Sequence, residues 1–206
     1  MFNYDMSTKG AHDYVMGTDE SGRGSLAGPV VGAAVILSPE ASQLPINDSK
    51  KLSAKSREEL YEQIIQNSVA YHIEMLDANY IDSHGIQKAN TNVLAISRMK
   101  VIEKLSKNSK IITIADGNPL WHEEDLIWVQ HADSLSLSVA AASILAKVFR
   151  DRIMIDLDAQ YEYIYRFSQH KGYGTKIHKN IIRQYGKIRD VHRITFTTDI
   201  PNIWYN

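Results

Sequence analysis

Four acids stand where they could do chemistry together. Asp19 and Glu20 follow Val15-Met16-Gly17-Thr18, Asp116 follows Ile111-Ile112-Thr113-Ile114-Ala115, and Asp133 comes shortly after Leu126-Ile127-Trp128-Val129. Carboxylates brought together repel one another and stay ionised only when cations neutralise them. Oxygen-only ligation suits Mg²⁺ or Mn²⁺ rather than zinc. Two such ions can clamp a phosphodiester, one activating water and the other stabilising the leaving oxygen. Each acid also has a structural reading. An Asp that closes a strand forms turns or caps helices, and Asp133 is placed to cap a helix opening at Ser136. The strand-end acids and the adjacent Asp-Glu pair bring the metal reading level with the structural one.

Beside the first two acids lies Gly22-Arg23-Gly24-Ser25-Leu26-Ala27, which fits the dinucleotide pattern G-x-G-x-x-G/A. That pattern needs a strand before it and a helix after it. Here Gly28-Pro29-Val30-Val31 runs on into an apolar strand, so no helix N-terminus is available to hold a pyrophosphate. The loop instead offers close backbone approach to a ligand and one guanidinium. Its plain alternative is a tight turn with an exposed arginine.

These residues need elements to carry them. Strands are predicted over Val15–Asp19, Pro29–Leu37, Val69–Leu76, Lys110–Ala115 and Leu126–Val129, from apolar runs and alternation. Helices are predicted from an N-cap at Ser53 to about Asn67, over Gly85–Leu105, over Ser136–Leu157, and from an N-cap at Thr175 to a stop at Gly186. Ser38–Lys51 reads as loop, and so does the stretch around Gly172-Tyr173-Gly174. Strands alternating with helices argue an α/β fold in which the strand ends bring the acids to one edge.

Composition narrows the classes further. The chain has 206 residues, 44% of them apolar, and no cysteine, which excludes disulfides, zinc–thiolate sites and a cysteine nucleophile. No apolar run reaches the length of a membrane span. Met1–Asp13 is polar without a hydrophobic run, so no signal peptide and a cytoplasmic location are expected. The net charge is −1, yet Ala146–Arg193 carries 11 Lys/Arg against 5 Asp/Glu, a local +6. An acidic half and a basic surface that meets phosphates would divide the charge in this way, as would two differently charged solvated faces.

Five motifs in order identify the resemblance. Gly17-Thr18-Asp19-Glu20-Ser21-Gly22-Arg23-Gly24-Ser25-Leu26-Ala27-Gly28-Pro29, Asp48-Ser49-Lys50-Lys51-Leu52, Ala115-Asp116-Gly117-Asn118, Asp133-Ser134-Leu135-Ser136 with Val139 to Lys147, and His170-Lys171-Gly172-Tyr173-Gly174-Thr175 together resemble bacterial ribonuclease HII. They span about Gly17 to Phe196. The resemblance implies a ribonuclease H-like mixed sheet flanked by helices, with a core over about 14–157 and a helical, substrate-contacting part over about 158–206 in a single domain. It implies Asp19, Glu20, Asp116 and Asp133 as ligands of Mg²⁺ or Mn²⁺, two ions being held in the substrate complex. Gly22, Arg23 and Gly24 would contact a ribonucleotide 2′-OH, Tyr173 would pack on the next sugar, and Lys50 and Lys51 would lie near backbone phosphates.

The implied reaction cuts RNA in RNA–DNA hybrids and cuts 5′ to ribonucleotides embedded in duplex DNA, leaving 3′-OH and 5′-phosphate ends. A monomer is expected, without a clear sliding-clamp motif in Thr197–Asn206. Two positions depart from the family pattern: Ser21 stands for an alanine and Leu135 for a lysine, the latter removing a positive charge beside Asp133. Lys147, Arg150 and Arg152 are expected to face phosphates or pair with acids. The competing reading is a nucleic-acid-binding protein on the same fold in which Leu135 marks a decayed site.

Overall fold

The computed structural model describes residues 1–201 and 203–205, Lys50 by its backbone alone. In chain order the elements are α1 (Phe2–Lys9), β1 (Tyr14–Ser21), β2 (Val30–Leu37), α2 (Ala54–Gln66), β3 (Ser68–Leu76), α3 (Ala78–His84), α4 (Ile86–Ile102), β4 (Ile111–Asp116), β5 (Leu126–Val129), α5 (Leu137–Gln160), α6 (Phe167–His170) and α7 (Lys176–Tyr185). The five strands form one sheet in the order β3-β2-β1-β4-β5. β1 pairs antiparallel with β2 and β2 with β3, whereas β1 and β4, and β4 and β5, run parallel. The expected mixed α/β sheet flanked by helices is what the chain forms.

Helices cover both faces. On one, α5 and α2 pack on Val31, Ala33 and Val35 of β2. On the other, α4 places Val93 and Leu94 beside Val30, and Val101 near Met16 and Ala34. The small-residue opening of α5 lets it come very close to β1. A Cβ on Gly17 would lie 2.1 Å from the Ser138 carbonyl carbon, so only glycine fits there. A second apolar cluster joins Ala27 and Met154 to Tyr165, Phe167, Ile181, Ile188 and Val191 of the C-terminal part.

Local signals account for most helix starts. Ser53, Ser136 and Thr175 each accept a hydrogen bond from the backbone N–H three residues on, as their N-cap roles require. The predicted N-cap at Thr175 and stop at Gly186 coincide with the observed α7. Three helices have no counterpart in the sequence pattern: α1, α3 and the single turn of α6 (Phe167–His170). α1 lacks an apolar stripe, and it is held by its acid: Asp5 Oδ2 accepts the amide and the hydroxyl of Ser138, both at 2.8 Å, at the N-terminus of α5. α3 is a short helix opened by Asp77, whose carboxylate accepts the Tyr80 amide. β1 also runs two residues further than its apolar pattern, because Asp19 pairs with Ala33, Glu20 with Gly32 and Ser21 with Val31 of β2.

Candidate active site

Parallel pairing carries the acids to one edge. Thr18 of β1 is opposite Ala115 of β4, so Asp19 and Asp116 are the next positions on neighbouring strands. Successive strand residues point to opposite faces. Asp19 therefore leans toward α5, where Ser143 is its side-chain partner, and Glu20 leans toward α4, where Asn90 is. Asp116 Oδ1 accepts the Ala132 amide at 2.6 Å, which ties the end of β4 to the turn carrying Asp133.

Asp19, Glu20 and Asp116 line one cleft of about 370 Å³ together with Gly22, Arg23, Gly24 and Tyr173. Ser49, Arg57, Ser143 and Lys147 complete its wall. A second cleft of about 420 Å³ shares Glu20, Arg23 and Asp116 and continues toward Asn90, Asn118 and Trp128. The acid edge is thus the floor of a long polar trough. Asp133 is buried one residue past Ala132 and does not line either cleft.

The electrostatics of this floor are those of an under-neutralised anionic site. Burial, then Glu20 and Asp116, push the Asp19 carboxyl well above the usual range, and hydrogen bonds from Ser143 and the Glu20 amide only partly oppose this. Burial also raises Glu20; Arg23 lowers it and Asp116 raises it further. Arg23 is a weak counter-charge, 4.0 Å from Glu20 and half-exposed, with Nη2 donating to Gln87 at 3.2 Å. The donors are all oxygen, and a divalent cation is the neutralising partner that such a set suits. Among the described residues no three His, Asp or Glu side chains already form a closed metal cage. Magnesium is commonly held by one or two carboxylates completed by water and substrate phosphates, so an open arrangement is compatible with it.

Around this floor the substrate-contact candidates separate. Gly22, Arg23, Gly24 and Tyr173 share the cleft. The glycine loop and the tyrosine are joined by an isolated antiparallel bridge between Ser25 and Tyr173 and by the Leu26 amide donating to the Gly172 carbonyl at 2.8 Å. Lys51 is exposed and outside the cleft lining, and the Lys50 side chain lies outside the described residues. Arg57, which no pattern marked, lines the cleft in that region, its Nη1 donating to the Ser49 and Leu52 carbonyls.

Of the three basic residues on α5, Lys147 lines the cleft and pairs with Asp151 at 2.6 Å. Arg152 pairs with Glu58 and Glu62 of α2, so of its two expected roles it takes the acid-pairing one. Arg150 takes neither: it is fully buried and donates to the carbonyls of Pro29, Lys171 and Ala27. Ser143 belongs to the small-residue run of α5 and carries no sign of its place beside Asp19, because a contact between a strand and a helix far apart in sequence leaves no local pattern.

The chain is similar to known proteins over most of its length. A family model described as Ribonuclease HII matches residues 16–199. The chain is 43% identical to the ribonuclease HII of Fusobacterium nucleatum over 97% of its own length and 91% of that protein's. It is 40% identical to that of Caldicellulosiruptor bescii, with 92% and 89% covered. Among solved structures it is similar to the ribonuclease HII of Archaeoglobus fulgidus, determined in complex with PCNA, with a TM-score of 0.72 at 25% identity, covering 89% of this chain and 94% of that one.

Proposed function

The chain belongs to the ribonuclease HII family and is an endoribonuclease of the ribonuclease H type, and on that premise we propose that it cuts on the 5′ side of ribonucleotides embedded in duplex DNA as well as within the RNA of RNA–DNA hybrids. One observation carries the proposal. The acid floor, the Gly22-Arg23-Gly24 turn and Tyr173 all line a single cleft. A hydrolytic centre and a means of reading one sugar are thereby adjacent.

In this reading Asp19, Glu20, Asp116 and Asp133 hold divalent cations, Mg²⁺ or Mn²⁺, two in the substrate complex. Bound there, the ions would supply activation of water and stabilisation of the departing 3′ oxygen, which yields 3′-OH and 5′-phosphate ends. The protein's own work is positional. Ser143 and Asn90 orient Asp19 and Glu20. The amides and guanidinium of the glycine turn contact the 2′-OH, the one group that distinguishes a ribonucleotide from a deoxynucleotide. Tyr173 gives the neighbouring sugar a flat surface, backed by Lys147 at 5.7 Å and Arg150 at 5.3 Å from its ring centre. Lys147 and Arg57 supply positive charge to the cleft wall for phosphates.

The test is a DNA duplex with one ribonucleotide, incubated with Mg²⁺ or Mn²⁺. A nick 5′ to the ribonucleotide is expected, with Asp19→Asn abolishing it. Tight binding without cleavage under both metals would overturn the assignment of the acids.

A further inference from the structure

Two arginines are buried with no exposed surface, and five of their six hydrogen bonds go to one loop, residues 22–29. Arg193, beyond α7, donates from Nε to the Gly28 carbonyl at 3.0 Å, from Nη1 to Arg23 at 3.0 Å and from Nη2 to Gly22 at 2.8 Å. Arg150 of α5 donates to the Pro29, Ala27 and Lys171 carbonyls at 2.9, 3.1 and 2.9 Å. Among the described residues every hydrogen bond of either guanidinium goes to a backbone carbonyl. Burying two like charges this way is costly. Burial, then the charge of Arg150, pull Arg193 down to about 9, which still leaves it protonated at neutral pH.

The carbonyls chosen matter. In a trans peptide the C=O of one residue and the N–H of the next point in opposite directions. Gripping the Gly22 and Arg23 carbonyls from the protein side therefore turns the Arg23 and Gly24 amides the other way, toward the cleft these residues line. Neither amide donates a hydrogen bond within the described residues. The grip leaves no slack: a Cβ on Gly22 would lie 2.0 Å from Arg150 Nε. The Arg193 segment is also woven into the loop, its amide donating to Leu26 and the Gly28 amide donating to Val191, each at 2.8 Å.

We propose that Arg193, supported by Arg150, is the positioning residue that presents the Arg23 and Gly24 amides to the ribose, and so sets discrimination for a ribonucleotide over a deoxynucleotide. The proposal rests on the reading of the glycine turn as the 2′-OH contact.

The experiment measures Kd by fluorescence anisotropy, in EDTA, for two duplexes that differ only in one 2′-OH, with melting and circular dichroism as fold controls. Arg193→Lys keeps the charge but loses the planar fork whose three nitrogens reach three separate carbonyls. The expected result is a loss of about tenfold in the ratio of the two Kd values, ~1.4 kcal/mol, with affinity for the all-DNA duplex retained and the fold intact. A folded Arg193→Lys protein with unchanged discrimination overturns the proposal. If that variant does not fold, Arg193→Gln, which keeps one amide donor and removes the buried charge, is measured with the same two outcomes. Loss of the fold in both variants makes the clamp a folding element alone and overturns it too. A wild type that does not discriminate defeats the reading of the glycine turn itself, an outcome distinct from a wild type and variant that discriminate equally.

Discussion

Ser25 of the glycine loop and Tyr173 of the loop before α7 pair as an isolated antiparallel bridge, so two segments from opposite ends of the chain form one wall of the cleft. The tyrosine ring is thereby held at a fixed height beside the acid floor. Lys147 and Arg150 lie 5.7 and 5.3 Å from its centre. Tyr173→Ala should weaken binding of a hybrid duplex by about tenfold, since burying roughly half of an aromatic side chain against the sugar is worth ~1.4 kcal/mol. Tyr173→Phe should bind nearly normally. Anisotropy titrations of both variants check this, and equal losses would point to the hydroxyl instead.

The raised Asp19 carboxyl makes metal-free stability depend on pH in a defined direction. An acid whose folded pKa lies above its unfolded value adds stability in acid and forfeits it as pH rises from about 3.8 toward the folded value. Asp19→Asn should therefore raise the Tm in EDTA at pH 7, by about 2–4 °C for each ~1 kcal/mol relieved. Added Mg²⁺ or Mn²⁺ should stabilise the wild type and do less for the variant. Thermal melts with and without metal decide the matter.

The C-terminal part should loosen as pH falls below 6.5. In its core His170 stacks on His178, and His192 lies tilted against His178 with their Nε2 atoms 3.1 Å apart. Burial lowers His178 to about 4, with His170 adding to the effect. It lowers His192 to about 3, with His178 and Lys187 adding. His170 is lowered by burial, with its hydrogen bond to the Tyr165 carbonyl and then Asp158 opposing. Groups buried neutral contribute full stability above 6.5 and lose it between 6.5 and their folded values, ~3 kcal/mol for His178 taken alone. His178 also meets the Tyr173 carbonyl at 3.0 Å, and the Gly172 amide donates to His170 Nδ1 at 3.2 Å. Amide exchange at Gly172 and Tyr173 should accordingly rise on going from pH 7 to pH 5, after correction for intrinsic rates. Flat protection across that range would refute the link.

Gly17 is where α5 presses on β1. Gly17→Ala places a methyl 2.1 Å from the Ser138 carbonyl carbon and should cost about 3 kcal/mol, because two backbones must separate. Denaturant unfolding measures it. Activity should fall as well, since the same contact sets Asp19 beside Ser143.

Leu135 is 44% exposed in the turn that carries Asp133. Leu135→Lys should tighten hybrid binding and steepen the slope of log K against log salt by about 0.9, the value for one added phosphate contact. An unchanged slope would mean that this position does not meet the backbone.

Much was legible along the chain. The strands, the N-caps at Ser53 and Thr175, the acids at strand ends and the glycine turn running into β2 are local patterns. Periodicity and turn chemistry write such features into consecutive residues, and family motifs are themselves short stretches of sequence. Tertiary structure alone decided which neighbours these motifs acquired. α1 showed no apolar stripe because its fixed point is Asp5 on Ser138. Arg150 and Arg152 stand two places apart on one helix, yet one holds loop carbonyls in the core while the other pairs with Glu58 and Glu62 outside it. Arg193 carried no local mark of its grip on Gly22 and Arg23. A buried cation's role depends on which backbone dipoles the fold brings to it, and those lie far away in sequence, so composition and spacing could place the acids but not the clamp that shapes the loop beside them.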